Sequence, residues 1–363
     1  MRRVRLLGGV VALVVALGSW TSPAAHADTP GAISGQPVLT GLNDPATFAF
    51  RPDGSIFYAE RETGIIRAYI AGSGVTHVFY RVTNVTDPGV LGLAFDPHYP
   101  TDPYVYVYSV RLLGGKTYDQ ILKVTSRRGV GVAATIIFSV QTRAGVHHYG
   151  GPLAFGPGGS LYALVGDANI SANSQNLNTA LGKVLRMTPD GRAPGNNILG
   201  HRIFVRGFRN SLGMNFDPDT GKLWETENGP ECNDEINQFA NGENGGWGPM
   251  ENCEGTSPDD TNNSGPAPRT LPLWWTVTTI APTGMAFCPE AGCNLPGYEG
   301  HMFFGDYNQS IIHDVTLTPD RLGVASVTDA VDWDSPIFTM QRNPVNGSIY
   351  FSDVAGIYEL VSS

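Results

Sequence analysis

His148 is the first candidate for a catalytic residue. It lies in the segment 146–153, where Tyr149 and two glycines follow it. Asp167 ends the hairpin that this segment begins. A histidine oriented by a carboxylate can act as a general base, because its ordinary pKa lies close to neutral pH. The same pattern is also typical of a structural histidine that is buried and bonded to the backbone. The sequence leaves both interpretations open.

Arg209 and Asn210 form a second candidate pair at the start of the next hairpin. The guanidinium group presents a rigid fork of donors, which can bind an oxyanion or polarise a carbonyl oxygen. An ordinary salt bridge between neighbouring elements is the alternative role for this arginine.

An oxygen-rich turn follows at 227–237. Gly229 and Pro230 form a turn that exposes backbone carbonyl groups, and acidic and amide side chains follow within five residues, ending at Glu235. Ca²⁺ takes six to eight oxygen ligands, so this composition predicts a calcium site. The spacing differs from the twelve-residue EF-hand loop, and the ligands would therefore come from several loops. A solvated polar turn is the alternative.

Six copies of one sequence pattern predict the elements that position these residues. Each copy is an alternating apolar run, a turn with proline, and a second strand, which is typical of a β-hairpin. The turn prolines are spaced like four-stranded propeller blades; they are Pro52, Pro97, Pro157, Pro218, Pro289 and Pro344. We therefore predict an all-β fold, a six-bladed β-propeller, with a two-sheet sandwich as the alternative. The strand near 37–42 is expected to complete the last blade.

The composition agrees with a turn-rich β protein. The 363 residues include 45 glycines and 26 prolines, and only 15% are charged. These values exclude a disordered tail protein, a collagen-like fibre and a many-pass membrane protein.

Residues 1–27 predict a secretory signal peptide. Three arginines precede the apolar run 6–17, and the small residues Ala25 and Ala27 mark a cleavage site before Asp28. The run is too short to span a bilayer. We expect a secreted protein, cleaved near Ala27 and without membrane insertion, in which residues 28–363 form a single propeller domain.

The charge of the mature chain argues against nucleic acid as a partner. The signal segment holds three of the 23 basic residues and no acidic one, which leaves 20 basic and 33 acidic residues. An acidic protein without basic clusters is poorly suited to nucleic acid or to an anionic membrane.

Four cysteines in an exported chain predict two disulfides. Of the three possible pairings, Cys232–Cys253 with Cys288–Cys293 closes the shortest loops and is favoured. A zinc site is the alternative, although no CxxC spacing supports it.

The ordered motifs resemble those of the soluble, pyrroloquinoline quinone (PQQ)-dependent sugar dehydrogenase family. This family includes glucose/sorbosone dehydrogenases and aldose sugar dehydrogenases, with relatives that resemble hedgehog-interacting protein. The motifs lie at 60–67, 89–97, 148–157, 181–187, 209–210, 227–237 and 281–287. The resemblance implies a six-bladed propeller, in agreement with the repeat pattern.

The resemblance also implies an activity. It implies a calcium-dependent oxidoreductase that transfers a hydride from an aldose or a related alcohol to PQQ, with an electron acceptor that stays unknown. His148 would be the base that takes the hydroxyl proton, and Asp167 the carboxylate that orients it. Arg209 would polarise the reacting quinone oxygen.

The remaining implied roles concern binding. The carbonyl groups of Gly229 and Pro230 would hold the Ca²⁺ that activates PQQ, and Glu235 would belong to a second, structural calcium site. The implied contacts to the cofactor or the sugar are Asp87, Asn210, and Trp274 or its neighbour Trp275.

Six positions depart from the family pattern. The family has a glutamine, a histidine and an arginine where this chain has Leu212, Phe208 and Pro152, and the other three departures concern the anchoring of PQQ. The family anchors the carboxylates of PQQ with a lysine and an Arg-x-Arg motif, but this chain has Asn308, Pro336 and Phe338 there. Each lost charge-assisted contact is worth about 1.5–3 kcal/mol, so we expect weaker PQQ binding. Two alternative functions follow: a non-catalytic, calcium-stabilised propeller that binds a glycan or a protein, and a calcium-dependent hydrolase of the lactonase type.

Overall fold

The computed structural model describes residues 31–248 and 265–362. The described chain contains one short helix, α1 Ala172–Gln175, and is otherwise built of strands. The strands are β1 Ile33–Thr40, β2 Thr47–Phe50, β3 Ile56–Glu60, β4 Ile65–Ile70, β5 Val75–Arg81, β6 Val85–Phe95, β7 Tyr104–Leu113, β8 Lys116–Arg127, β9 Val130–Thr142, β10 Gly150–Phe155, β11 Leu161–Val165, β12 Lys183–Met187, β13 Ile203–Arg206, β14 Ser211–Phe216, β15 Leu223–Glu227, β16 Asp234–Phe239, β17 Trp274–Thr276, β18 Pro282–Phe287, β19 Met302–Asp306, β20 Ile311–Leu317, β21 Val324–Asp332, β22 Met340–Arg342, β23 Ile349–Ser352 and β24 Gly356–Ser362.

These strands form six antiparallel sheets of four strands each, arranged as a six-bladed β-propeller. Five blades follow the chain in order: β2–β5, β6–β9, β10–β13, β14–β17 and β18–β21. The predicted fold class is confirmed. The six predicted hairpins are the first two strands of each blade, because an alternating apolar strand and a tight turn form locally.

The sixth blade closes the ring. Its strand order is β1-β24-β23-β22, so the N-terminal strand supplies the outer edge of the C-terminal blade. The pairing runs from Ile33 opposite Ser362 to Thr40 opposite Gly356. The predicted closure by an early strand is confirmed, and it covers an edge that would otherwise be open to pairing with other chains.

The core lies between neighbouring blades. The innermost strands β2, β6, β10, β14, β18 and β22 each contact the next one around the ring, and β22 contacts β2. Large apolar side chains fill the wedge between the second and third blades, among them Tyr108, Ile121, Leu161 and Leu185. Burial of this kind is the main favourable term for a fold with many loops.

The described residues contain the predicted Cys288–Cys293 disulfide. The predicted Cys232–Cys253 pair includes Cys253, which lies outside the described residues, as does the predicted signal peptide. Within residues 31–248 and 265–362, no helix has the length and apolar character needed to cross a membrane.

Close approach of the innermost strands depends on glycine, and we predict that Gly92→Ala destabilises the protein. A Cβ atom at position 92 would lie 2.1 Å from the carbonyl oxygen of Gly151 in the next blade. Since backbone must move to relieve this contact, we expect a loss of about 1–3 kcal/mol, measured by chemical denaturation. The control is Gly158→Ala, where a Cβ would meet no atom within 4 Å. Equal stability of the two variants would contradict the prediction.

A second prediction concerns Asp119, a fully buried carboxyl group in β8. Burial raises its pKa to about 8, and the nearby Tyr108 opposes this shift only in part. Because the pKa in the folded state exceeds the ordinary value, the protonated group stabilises the fold at low pH. This stability is lost as the pH rises toward 8.

The variant Asp119→Asn keeps a neutral side chain at every pH. We expect its melting temperature, relative to that of the wild type, to increase from pH 4 to pH 8. The control is Asp334→Asn at an exposed position. A difference from the wild type that stays constant over this pH range would contradict the prediction.

Candidate functional site

The hairpin β10–β11 brings His148 and Asp167 together. Gly150 in β10 lies opposite Val165 in β11, so the residues just before β10 and just after β11 meet at the same end of the blade. His148 Nδ1 lies 2.8 Å from Asp167 Oδ1. The His148 backbone has φ +61°, in the left-handed region that non-glycine residues uncommonly adopt.

Asp167 is buried, and its two oxygens accept further bonds. Oδ2 accepts the indole N–H of Trp247 at 2.8 Å, and Oδ1 accepts the backbone N–H of Asn169 at 2.8 Å. A carboxylate can only accept, so Nδ1 of His148 is the donor in the bond to Asp167. The second ring nitrogen, Nε2, is therefore left as the acceptor in the neutral imidazole.

His148 stands between two adjoining cavities. The turn cavity has a volume of about 450 Å³ and contains the oxygen-rich turn; its lining includes Arg209, Gly229, Pro230, Asp234 and Asn308. The aromatic cavity has a volume of about 390 Å³; its lining includes Arg61, Asp87, Tyr149 and Phe338. The two cavities share His147, His148, Asn210, Leu212 and Tyr307.

Glu227 fixes the backbone that carries the arginine. Its Oε1 accepts the backbone N–H groups of Arg209 at 2.7 Å and of Asn210 at 2.9 Å. The guanidinium Nη1 of Arg209 donates to the carbonyl oxygen of Asn228 at 3.0 Å. Its Nε is buried and has no hydrogen-bond partner among the described residues. Arg209 is therefore held in place. Because Nε is buried, the donor that remains for a ligand is Nη2, which bonds to no described residue.

Asp234 fixes the oxygen-rich turn. Its carboxylate accepts the backbone N–H groups of Gly229, Ile280 and Ala281, each at 2.7 Å. Burial nevertheless raises the pKa of Asp234 to about 6, because the low polarity around it disfavours the charged form. The Gly229–Pro230 turn is thereby tied to the loop before β18.

Glu235 lines neither of the two large cavities. Together with Glu227 and Asn237 it lines a small cavity of about 10 Å³, close to the space that one water molecule or ion needs. This small cavity shares Asn228 and Gly229 with the turn cavity. Glu225 Oε1 and Asn237 Oδ1 nearby are buried without a hydrogen-bond partner among the described residues. Burial and the charge of Glu227 raise the pKa of Glu225 well above its ordinary value.

The structure brings most of the sequence-predicted residues together. Six of the nine lie on the lining of the two cavities, namely Asp87, His148, Arg209, Asn210, Gly229 and Pro230. Asp167 bonds directly to one of them. Trp274 does not join this group: it lies in β17, the outer strand of its blade, and packs against Phe304 with ring centroids 6.0 Å apart.

Five residues of the site were not among the candidates predicted from the sequence, and of these Phe338 was named only as a position where the related family has an arginine. Trp247 and Glu227 position the dyad and the arginine, Asp234 holds the turn, and Tyr307 and Phe338 form an aromatic wall. Glu227 and Asp234 lie inside the oxygen-rich motif and could have been named from it. The other three come from distant parts of the chain and carry no local signal.

The chain belongs to the Glucose / Sorbosone dehydrogenase family, whose sequence profile matches residues 42–352. It is 32% identical over 247 residues to quinoprotein glucose dehydrogenase B of Acinetobacter calcoaceticus, a match that covers 58% of this chain and 51% of that protein. The chain thus matches about half the length of this relative. It is 25% identical over 317 residues to aldose sugar dehydrogenase YliI of Escherichia coli, covering 81% and 83% of the two chains.

A similar solved structure is the PQQ-bound form of aldose sugar dehydrogenase from Streptomyces coelicolor. The TM-score is 0.77 at 25% identity, and the match covers 92% of this chain and 99% of that one. The predicted resemblance to PQQ-type sugar dehydrogenases is confirmed.

The residues of the turn cavity fit a calcium ion. The lining combines the Gly229–Pro230 turn with the carboxylate of Asp234, and such oxygen groups are the ligands that Ca²⁺ prefers. Asn228, which also lines this cavity, has a buried Oδ1 without a hydrogen-bond partner among the described residues. An unsatisfied buried oxygen is costly unless an ion or a water molecule meets it.

The turn cavity also fits the reactive end of PQQ. Arg209 with its spare donor, Asn210 and His148 face one space of about 450 Å³, which is ample for a three-ring quinone. Asn308 on this lining and Phe338 on the lining of the aromatic cavity carry no charge, and Pro336 is absent from the described lining of both cavities. The site therefore offers contacts to the quinone carbonyls and weak anchoring for the carboxylates.

Proposed function

We propose that this protein is an exported, calcium-dependent sugar dehydrogenase that oxidises an aldose or a related alcohol, with PQQ as the hydride acceptor. The observation that carries the proposal is the position of His148, held by Asp167 at the boundary between two cavities. One cavity contains Arg209 and the oxygen-rich turn, and the other has the size and the aromatic lining of a small-molecule site.

His148 supplies the base. Its Nε2 accepts the proton of the sugar hydroxyl, and the buried Asp167 carboxylate stabilises the imidazolium that forms. PQQ, when bound, supplies an electrophilic ring that takes the hydride from the carbon bearing that hydroxyl. Arg209 directs a hydrogen-bond donor toward the place where negative charge develops.

Calcium has two proposed sites. The Gly229–Pro230 turn and Asp234 would hold one ion beside the cofactor, and the ion would supply positive charge that polarises a quinone oxygen. Glu235, Glu227 and Asn237 would hold a structural ion in the small cavity. The buried, mutually repelling carboxyl groups of Glu225 and Glu227 support this second site, since a cation would offset their charge.

A non-catalytic propeller that binds a glycan is the second candidate. The neutral wall of Asn308 and Phe338 favours it, because binding a neutral sugar needs no cations there. This candidate keeps the calcium sites and assigns the cavities to recognition alone.

The first of three predictions about function distinguishes these two candidates. In this experiment PQQ is titrated into the mature protein with Ca²⁺ present. We expect saturable binding and sugar-dependent dye reduction by the wild type. The variant His148→Ala should lower kcat by about 10²–10⁴-fold and leave the PQQ dissociation constant nearly unchanged, because it removes the base and not a cofactor contact. Absence of PQQ binding at high micromolar concentration would contradict the proposed activity and leave the glycan-binding candidate.

The second prediction restores the missing charges. Asn308→Lys and Phe338→Arg should each tighten PQQ binding by about tenfold or more, because each adds a charge-assisted contact to a carboxylate. Ser335→Lys, a basic residue at a position outside both cavity linings, is the control. Equal effects of the three variants would show only a general charge effect and contradict the prediction.

The third prediction concerns calcium and stability. Saturating Ca²⁺ should raise the melting temperature and a chelator should lower it, since ligands that bind only the folded state stabilise it by about 2.7 kcal/mol at a hundredfold excess over Kd. Glu235→Gln should reduce this calcium-dependent shift, whereas Glu299→Gln at an exposed position should not. A shift that is unchanged in Glu235→Gln would contradict the structural site.

A further inference from the structure

The aromatic cavity has an uneven distribution of charge. Its one arginine, Arg61, is already paired: Nε lies 2.7 Å from Asp44 Oδ2, and Nη2 lies 3.8 Å from Glu62 Oε1. Asp87 lies on the same lining and makes no ion pair with any described residue. Apart from the histidines, the unpaired charge that the described lining presents to a ligand is therefore negative.

Aromatic rings are the second feature of the lining of this cavity. Tyr307 and Phe338 lie with their ring centroids 6.0 Å apart and their planes inclined by 33°. Tyr307 is half exposed and Tyr149 completes the aromatic lining. The faces of aromatic rings attract cations and pack against apolar faces of ligands.

The described lining of the aromatic cavity offers an anion no unpaired arginine or lysine. The adjoining turn cavity contains both the carboxyl group of Asp234 and the guanidinium group of Arg209, and Asn308 there carries only an amide. Phe338, on the aromatic lining itself, carries a phenyl ring. A carboxylate on a ligand in the aromatic cavity would thus meet Asp87 without an unpaired arginine or lysine on the same described lining to balance it. A positively charged group would meet Asp87 and the aromatic rings together.

We infer that the aromatic cavity selects a sugar that carries an amino group, with the ammonium paired to Asp87 and the ring packed against Tyr307 and Phe338. The inference rests on the proposed function, because it names the substrate class of the same site. The same negative charge of Asp87 that attracts the amine repels sugars that carry a carboxylate.

The size of this preference follows from the exposure of Asp87. A solvent-exposed ion pair and an exposed cation–π contact each contribute modestly, so we expect a preference of about three- to tenfold for the charged sugar over a neutral one. The preference should shrink at high salt, since exposed charges are screened.

The test measures the binding of three sugars to the mature protein without cofactor, by calorimetry at pH 6 and low salt. The probes are glucosamine, its uncharged counterpart N-acetylglucosamine, and glucuronate. We expect glucosamine to bind about three- to tenfold more tightly than N-acetylglucosamine, and glucuronate to bind most weakly. Asp87→Asn should bring the three affinities together, and Asp334→Asn at an exposed position should leave the order unchanged.

Phe338→Leu separates the ring contact from the charge. It should weaken the binding of glucosamine and N-acetylglucosamine alike, with the preference for the amine retained through Asp87. Equal affinities in the wild type, a preference that persists in Asp87→Asn, or no binding of any of the three sugars at tens of millimolar would overturn the inference. Any of these results beside saturable PQQ binding would refute the amine preference and leave the proposed dehydrogenase standing.

Discussion

The buried carboxylate of Asp167 is the interaction on which the site depends. It accepts bonds from His148, Trp247 and the backbone of Asn169, and its own backbone N–H donates to the carbonyl of Arg209. A buried carboxylate is tolerated only when its oxygens are bonded. The three donors therefore stabilise the charge of Asp167, and that charge holds the three donors in place. One group therefore fixes the orientation of the imidazole and joins the loops of two blades.

The propeller explains why this arrangement can be held firmly. The loops that carry His148, Arg209 and the oxygen-rich turn all lie at one end of the ring, because each follows or precedes an innermost hairpin at the same end. The innermost strands can approach closely where Gly92 meets Gly151, because neither residue has a side chain. Closure by β1 removes the free edge of the last blade and completes the ring.

Much of the fold could be predicted from the sequence because its units are local. A hairpin is defined by alternation and a turn within about fifteen residues, and six such units at blade-length spacing indicate the propeller. The pairing of His148 with Asp167 could also be predicted from the sequence, since the two residues flank one hairpin. The blade closure by β1 could be predicted from the shortage of strands at the C-terminus.

The rest of the site could not be read from the sequence because it depends on contacts between distant residues. Trp247 is 80 residues from Asp167, and only the folded chain shows that its indole reaches that carboxylate. The family resemblance implied that Trp274 or Trp275 lies near the sugar pocket, but Trp274 occupies an outer strand and packs on Phe304. The charge of the aromatic cavity likewise depends on the pairing of Arg61 with Asp44, which the sequence does not reveal.

The central claim is that Asp167 holds His148 with Nδ1 protonated and Nε2 unprotonated, so that Nε2, 3.3 Å from the amide Nδ2 of Asn169, is the atom that accepts a proton. Heteronuclear NMR of ¹⁵N-histidine-labelled protein measures this directly, because protonated and unprotonated ring nitrogens have distinct chemical shifts. At a pH where the ring of His148 is neutral, the account predicts a proton on Nδ1 and an unprotonated Nε2, and it predicts that Asp167→Ala abolishes this bias. A proton on Nε2 in the wild type would contradict the assignment of His148 as the base.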